Sequence, residues 1–356
     1  MSLLYSDKPV FGFDIGRSSI KIMQIEPAQR GGKPTVSGYG NIGFDPAAID
    51  KGTIVQPEVV VKAAHELISG SLTGSLTTRH VAMSLPNTHS FSRVISAPYD
   101  VKVESLDTLV QGEIAQSIPM PIADLYYDFH VTKKGTEEQD QEVQLVASPR
   151  TIVDSYIEVV EALGLTPAVF EPNISAVTRM VVESEAHDEV SLIVDLGSEA
   201  SDISVYDGTV VRATGTASCG GEHITRAISK SLGTSPQQAH SIKTRYGLGV
   251  SKKQSEIIKA IDPELAKLVR EIKKVMRYYE ERADDDKQIG QIILLGGGAN
   301  LPGLSTYLTD KTRTATRLNA PFINVNFKDL QPPHELETTI YTTAGGLSLL
   351  RPEDIT

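Results

Sequence analysis

The sequence predicts an α/β protein with two related lobes, because one strand–turn–strand pattern occurs in it twice. The first copy spans residues 11–25 and the second spans residues 192–205. In each copy an apolar strand ends in Asp-x-Gly, small polar residues follow, and a second apolar strand begins. A chain of 356 residues is also long for one simple core, which favours two lobes.

The two turns have the residue types of a phosphate and magnesium site. Gly and Ser amides in a tight turn can hold a phosphate, and a carboxylate at a strand end can reach hydrated Mg²⁺. Two copies predict two lobes that face one nucleotide. The phosphate-binding candidates in the turns are Asp14, Gly16, Arg17, Ser18, Ser19, Asp195, Gly197, Ser198 and Glu199, and Asp14 and Asp195 are the candidates for holding Mg²⁺ through water.

Composition and charge exclude several classes of protein. The formal net charge of −11 argues against broad nucleic-acid binding and against adhesion to anionic lipid through a basic surface. The single cysteine, Cys219, fits a reducing compartment. Residues 1–7 do not have the pattern of a signal peptide, and residues 351–356 do not form an amphipathic anchor. We therefore expect a cytoplasmic protein that reaches the membrane, if at all, through a partner.

The remaining elements follow from periodicity and turn residues. Between the two hairpins we expect strands at 36–42, 80–85, 91–97, 126–132, 142–147 and 165–171, and helices at 59–68, 104–117, 151–163 and 175–185. After the second hairpin we expect helices at 221–232, 236–246, 263–281, 301–308 and 338–350, and strands at 292–295 and 322–326.

This order of elements predicts three parts of the chain. Residues 1–87 and 149–190 form the first lobe, together with the C-terminal helix 338–350. Residues 88–148 form an inserted small α+β subdomain. Residues 191–337 form the second lobe, in which 222–290 is a helical subdomain.

Two further glycine sites follow the second hairpin. Gly296-Gly297-Gly298 stands between a strand and a helix, where the missing Cβ atoms let the backbone approach a flat ring or a ribose. Asn300 or Pro302 would then begin the helix. Gly220-Gly221-Glu222 opens another helix. Each site alone is also compatible with an ordinary turn or helix start, so the prediction rests on their order in the chain.

That order resembles the superfamily of actin, Hsp70 and the sugar kinases, whose members bind ATP between two related lobes. The resemblance implies ATP or ADP with Mg²⁺ as the ligand and an actin/Hsp70-like fold. It places Lys21 on the phosphates and Glu171 near the position of a water-ordering residue, although Glu171 is equally compatible with an ordinary acid near a connecting helix. The ribose and adenine candidates are Gly220, Gly221, Glu222, Lys273, Arg277, Gly296, Gly297, Gly298 and Asn300.

Within this superfamily the chain most resembles the PilM family of type IV pilus assembly, and it is also similar to the FtsA cell-division family. Three stretches carry this resemblance: residues 113–129, 143–167 and 268–279. The resemblance implies an inserted subdomain of the FtsA/PilM type. It also implies a partner, the N-terminal cytoplasmic tail of a PilN-like membrane protein, which would contact apolar residues between Phe91 and Val146.

The second turn departs from the superfamily pattern. Ser198, Glu199 and Ala200 stand where enzymes of the superfamily carry two glycines and a threonine. A carboxylate about 4 Å from a phosphate costs on the order of 4 kcal/mol at an effective dielectric constant near 20, unless Mg²⁺ or an outward rotation of the side chain relieves it. The sequence therefore favours nucleotide binding without fast hydrolysis.

Three functions remain open at this stage. The first is a nucleotide-binding scaffold of the pilus assembly platform at the inner face of the cytoplasmic membrane, with pilus motor ATPases as further partners. The second is a small-molecule or sugar kinase, and the third is an FtsA-like division protein. The scaffold is favoured because no catalytic base stands out and because the terminal helix of FtsA is missing. Homo-oligomerisation and the resident nucleotide are left undetermined.

Overall fold

The computed structural model describes residues 9–28, 32–184, 189–283 and 288–351. Residues 1–7 and 352–356, on which the expectations about targeting and anchoring partly rest, lie outside these ranges. The chain forms two compact units. Unit 1 comprises residues 1–26, 37–176 and 347–356, and unit 2 comprises residues 27–36 and 177–346.

The described residues form both strands and α-helices. The strands are β1 (Phe11–Ile15), β2 (Ser19–Glu26), β3 (Thr35–Gly43), β4 (Ile49–Asp50), β5 (Thr53–Ile54), β6 (Thr73–Gly74), β7 (His80–Leu85), β8 (Phe91–Ala97), β9 (Leu125–Lys133), β10 (Gln141–Pro149), β11 (Thr166–Pro172), β12 (Ser191–Leu196), β13 (Ser201–Tyr206), β14 (Val211–Ala217), β15 (Gln291–Leu295) and β16 (Ala315–Leu318). The helices are α1 (Pro57–Glu66), α2 (Val103–Ser117), α3 (Arg150–Ala162), α4 (Asn173–Ser184), α5 (Gly221–Leu232), α6 (Pro236–Arg245), α7 (Gln254–Glu280), α8 (Leu304–Thr312) and α9 (Thr342–Ser348).

The main sheet of unit 1 has the strand order β11-β7-β1-β2-β3-β6. β1 runs antiparallel to β2 and parallel to β7. Phe11, Phe13 and Ile15 alternate along β1 and point into one core with residues of α1 and α3. Asp14 is the next-to-last residue of this buried strand, so the first Asp-x-Gly turn lies at the carboxyl end of the central strand.

The sheet of unit 2 repeats this topology with the order β14-β13-β12-β15-β16. β12 runs antiparallel to β13 and parallel to β15, as β1 does to β2 and β7. The second Asp-x-Gly turn therefore also follows a central strand. The prediction that one strand–turn–strand device is used twice is confirmed.

Residues 91–149 form a separate sheet within unit 1, in the order β8-β10-β9. Val143, Leu145 and Ala147 of β10 pack against Leu106, Val110 and Ile114 of α2. Because side chains alternate along a strand, the intervening residues of β10 lie on the opposite face of this sheet. The small α+β subdomain expected from the sequence is thus present.

Four sequence predictions for unit 2 and the C-terminal helix need correction. The last strand is β16 and not 322–326, which forms turns. β16 is an edge strand with exposed positions, so it lacks the apolar run that marks a buried strand. The helix expected from 263 begins at Gln254, because the buried side chains of Ile257 and Ile261 outweigh the interior Pro263.

The other two corrections concern helix starts. The helix expected from 301 begins at Leu304, after Gly303 with φ of 82°. The helix expected from 338 begins as a 3₁₀ segment, Glu335–Tyr341, and becomes α-helical only at Thr342. None of the helices in the described ranges is long and apolar enough to cross a membrane.

Candidate functional site

The first Asp-x-Gly turn, residues 14–21, is called turn 1. The amide of Gly16 donates to the carbonyl of Ser19 at 3.0 Å and closes it. Asp14 and Lys21 stand opposite each other in the β1–β2 register, and Lys21 Nζ lies 3.1 Å from Asp14 Oδ2. A Cβ on Gly16 would lie 2.8 Å from Lys21 Nζ, so glycine makes room for the lysine. Turn 1 thus presents an ammonium group beside a carboxylate.

Arg17 of turn 1 contacts the backbone of its own unit. Its guanidinium Nη1 donates to the carbonyl of Ile49 within unit 1. The neighbouring Ser18 accepts a backbone hydrogen bond from Phe44 at 3.0 Å. The Arg17 side chain therefore braces turn 1 against the rest of its unit, and Lys21 is the cation beside the carboxylate.

The second Asp-x-Gly turn, residues 195–202, is called turn 2. The amide of Gly197 donates to the carbonyl of Ala200 at 3.0 Å, as in turn 1. The position equivalent to Lys21 is occupied by Asp202, which stands opposite Asp195 and accepts from Thr216 at 2.9 Å. Glu199 is exposed to solvent. Turn 2 thus has the backbone of turn 1 without its lysine.

The start of α5 packs directly on turn 2. The amides of Gly221 and Glu222 donate to the carbonyls of Gly197 and Ser198 at 2.9 and 2.8 Å. A Cβ on Gly220 would come within 2.4 Å of the Ser198 carbonyl oxygen. These glycines therefore hold α5 against turn 2, and the sequence-predicted residues of the two sites come together.

The triple-glycine turn, residues 296–298, also contacts turn 2. A Cβ on Gly296, whose φ is 80°, would lie 2.3 Å from Asp195 Oδ1. Gly297 is exposed, and a Cβ there would meet only Ile340, at 3.6 Å. Gly296 thus permits a close approach to the carboxylate, while Gly297 presents open backbone that a ring or ribose could lie against.

Asn300 supports this turn and does not begin a helix. Its amide Nδ2 donates to the carbonyl of Leu336 at 2.7 Å and lies 3.0 Å from Thr339 Oγ1. Thr339 in turn exchanges hydrogen bonds with the backbone of Gly296 at 3.1 and 3.3 Å. The predicted helix N-terminus at this site is wrong, because α8 begins only at Leu304.

Lys243 is a site residue that sequence reasoning missed. It lies on α6, and its Nζ donates to the carbonyl of Gly221 at 3.0 Å. Burial lowers the pKa of Lys243, and the nearby Glu222 carboxylate opposes this shift. A buried ammonium costs less once an anion reaches it, so Lys243 is suited to a phosphate or another acidic group. Its sequence context, an ordinary polar helix, carries no signal of this role.

The remaining sequence candidates lie on α7 and at the end of β11. Lys273 and Arg277 are exposed on α7, and in the part of the chain that the structure describes no hydrogen bond or ion pair joins them to a turn. Glu171 lies at the end of β11, where it is in register with Ser84 of β7. No cluster of three or more potential metal ligands occurs among the described residues.

Each turn, taken by itself, has residue types that fit a phosphate group and a hydrated cation. Asp14 and Asp195 supply carboxylate oxygens, which hard cations such as Mg²⁺ prefer. Lys21 and Lys243 supply positive charge, and the open backbone at Gly297 leaves room for a ligand. A bound Mg²⁺ would supply the charge that neutralises phosphate oxygens.

The repeated sheets and their Asp-x-Gly turns define an actin-like α/β fold. Solved structures agree: the chain is similar to the PilM–PilN type IV pilus biogenesis complex, with a TM-score of 0.81 and 23% identity over 96% of this chain and 98% of that one. It is also similar to MreB5 of Spiroplasma citri bound to ADP, with a TM-score of 0.53 and 10% identity over 95% and 94% of the two chains.

Sequence comparison gives the family. The family model described as type IV pilus assembly protein PilM matches residues 12–352, and the chain belongs to this family. Among curated proteins it is similar to the cell division protein FtsA of Enterococcus faecalis, with 23% identity over 332 residues, which cover 82% of this chain and 74% of that protein. The resemblances to PilM and FtsA predicted from the sequence are therefore confirmed.

Proposed function

We propose that the chain is an ATP-binding scaffold of type IV pilus assembly that binds a PilN-like membrane protein. The observation that carries the nucleotide proposal is the closed Asp-x-Gly turn, with its 3.0 Å amide–carbonyl bond, found once in each unit. The MreB5 structures that resemble this chain contain ADP or AMPPNP, which supports the same ligand class here.

The residues of the two turns take separate roles in this proposal. Asp14 and Asp195 hold Mg²⁺ through its water ligands. Lys21 and the amides at the tips of both turns contact phosphate oxygens. Gly296 to Gly298 and the start of α5 receive the adenosine. Lys243, the cation of turn 2, is added to the set predicted from sequence.

A calorimetric titration with ATP·Mg²⁺ tests these roles. Hydrogen bonds to charged groups are worth roughly 1.5–3 kcal/mol, so Asp14→Ala should weaken binding by about 10- to 100-fold. Asp50→Ala is the control, because Asp50 is an exposed acid of the same unit, in β4. Equal affinity in wild type and Asp14→Ala would refute the site assignment.

We propose that hydrolysis is slow or absent. Turn 2 carries Glu199 where enzymes of the superfamily have a neutral residue, and a carboxylate there opposes the negative charge of the terminal phosphate. Steady-state phosphate release should therefore stay near background at saturating ATP. Turnover that rises on addition of a sugar would instead support a kinase.

The partner proposal rests on the small sheet β8-β10-β9. The solved PilM–PilN complex resembles this chain over 96% of its length, so a PilN-like tail is the first candidate ligand. Val94 and Val146 lie on the sheet face opposite the α2 core and are partly buried. We propose that apolar side chains of this subdomain contact the tail and bring the protein to the inner face of the membrane.

A pull-down with the cytoplasmic tail peptide, with and without ATP, tests the partner. Val94→Glu and Val146→Glu should each reduce capture, because a carboxylate on an apolar contact face costs several kcal/mol or forces the contact open. Leu109→Glu is the control: Leu109 is 43% exposed on α2. If only Leu109→Glu abolishes capture, the contact lies on α2 and the assignment to this face is wrong.

A further inference from the structure

Three parallel strands of unit 1 end at the same level of the sheet. Phe13 of β1 is in register with Met83 of β7, and Met83 is in register with Phe170 of β11. The next residue of each strand is therefore in one row: Asp14, Ser84 and Glu171. In-register residues of parallel strands point to the same face, so these three polar side chains lie side by side.

Ser84 is bonded directly to the carboxylate of turn 1. Its hydroxyl donates to Asp14 Oδ1 at 2.8 Å, while Lys21 Nζ lies 3.1 Å from the other oxygen, Oδ2. Ser84 is only 3% exposed, whereas the Asp14 side chain keeps 13% of its surface in solvent. The two donors fix both oxygens, so the plane of the carboxylate is determined by Ser84 on one side and Lys21 on the other.

Ser84 lies where an apolar part of this sheet face meets the polar row. On the same face of the sheet, one step before the polar row, Ala82 packs in a small apolar cluster with Val10 and Leu347. An alanine at 84 would continue this apolar face without leaving a buried polar atom. A buried hydroxyl is stabilising here because it has an acceptor, and that acceptor is the carboxylate proposed to hold Mg²⁺.

We propose that Ser84 is a positioning residue for magnesium: its hydrogen bond orients the Asp14 carboxylate toward the hydrated cation of the bound nucleotide. This inference rests on the nucleotide-binding function proposed above. Groups that orient a metal-binding side chain change metal affinity by roughly 10- to 100-fold when they are removed. Ser84 should therefore act on the Mg²⁺ dependence of ATP binding and not on the nucleotide contacts themselves.

The test is a titration of a fluorescent ATP analogue at a series of Mg²⁺ concentrations and in EDTA. Ser84→Ala should raise the Mg²⁺ midpoint by about tenfold and leave the affinity in EDTA within twofold of wild type. Ser84→Thr keeps the hydroxyl and should have the same Mg²⁺ midpoint as wild type. Ser148→Ala, which removes another buried serine hydroxyl of unit 1 that bonds to Ser90, should leave it unchanged.

The possible results separate the two proposals. If wild type does not bind the analogue at any Mg²⁺ concentration, the nucleotide function fails and the role of Ser84 fails with it. If wild type responds to Mg²⁺ and Ser84→Ala has the same midpoint, only the inference about Ser84 is overturned. If Ser84→Ala and Ser84→Thr raise the Mg²⁺ midpoint equally, the effect is due to packing, and the inference about Ser84 is also overturned.

Discussion

Replacing Gly220 by alanine should open the contact between α5 and turn 2. The φ of Gly220 is −148°, an extended conformation that alanine adopts freely, so backbone strain plays no part. The new Cβ would lie 2.4 Å from the carbonyl oxygen of Ser198 and 2.6 Å from the carbonyl carbon of Glu199. These are backbone atoms, and they can move away only if α5 and turn 2 separate.

The size of the effect follows from what that separation breaks. Two backbone hydrogen bonds join the elements, from Gly221 to Gly197 and from Glu222 to Ser198. Each contributes about 1 kcal/mol net, and overpacking of this kind costs roughly 1–3 kcal/mol. We expect the local free energy of opening to fall by about 3–5 kcal/mol, which corresponds to faster exchange of these amides by about 150- to 5,000-fold.

Hydrogen–deuterium exchange of peptides that cover residues 197–225 measures this loss directly. Gly112→Ala is the control: Gly112 is exposed within α2, and a Cβ there meets no atom within 4 Å. That variant should be neutral or up to about 1 kcal/mol more stable. If the amides of Gly221 and Glu222 exchange as slowly in Gly220→Ala as in wild type, the close packing of α5 on turn 2 is refuted.

Three further predictions concern other parts of the chain. Burial raises the pKa of Cys219 to about 11, so a thiol reagent should label it in urea but not in the native protein at about pH 8. Burial and the hydrogen bond to Asp262 raise the pKa of Tyr307 to about 12, above its usual 10. Its contribution to the free energy of unfolding is complete below pH 10 and is lost as pH rises through 12. When unfolding by urea is measured at a series of pH values, the Tyr307→Phe variant should lack this decrease. Leu145→Ala should lower the free energy of unfolding by about 2–5 kcal/mol and make β8 to β10 sensitive to limited proteolysis. Leu109→Ala, on the exposed side of α2, should have neither effect.

Much of this fold could be predicted from sequence because its central strands are buried and apolar. β1, β7, β12 and β15 contain hydrophobic runs that end in turn residues, and each was predicted within a residue or two. β16 was missed because an edge strand with exposed positions needs no apolar run. The early part of α7 was missed because Pro263 marks a helix start in most sequences, and only tertiary packing of Ile257 and Ile261 carries the helix past it.

The glycines of the site could be predicted from the sequence. The residues that contact the site from distant positions in the chain could not. Gly220 and Gly296 are visible in sequence, and the structure shows why each is needed at turn 2. Ser84 lies 70 residues from Asp14, and Lys243 lies 22 residues from the carbonyl that it contacts. A serine in an apolar strand and a lysine on a polar helix are common, so only the register and packing reveal them.

The two turns share one backbone but differ in charge, and this difference has a consequence for nucleotide binding. Turn 1 carries its own cation, because Lys21 stands opposite Asp14 in the β1–β2 register. Turn 2 has Asp202 at that position, so its hairpin alone would repel a phosphate. The compensating charge comes from Lys243 on α6, through the packing of α5 on the turn. The repeated topology therefore accounts for the shape of turn 2, while the anion site proposed there depends on α5 and α6.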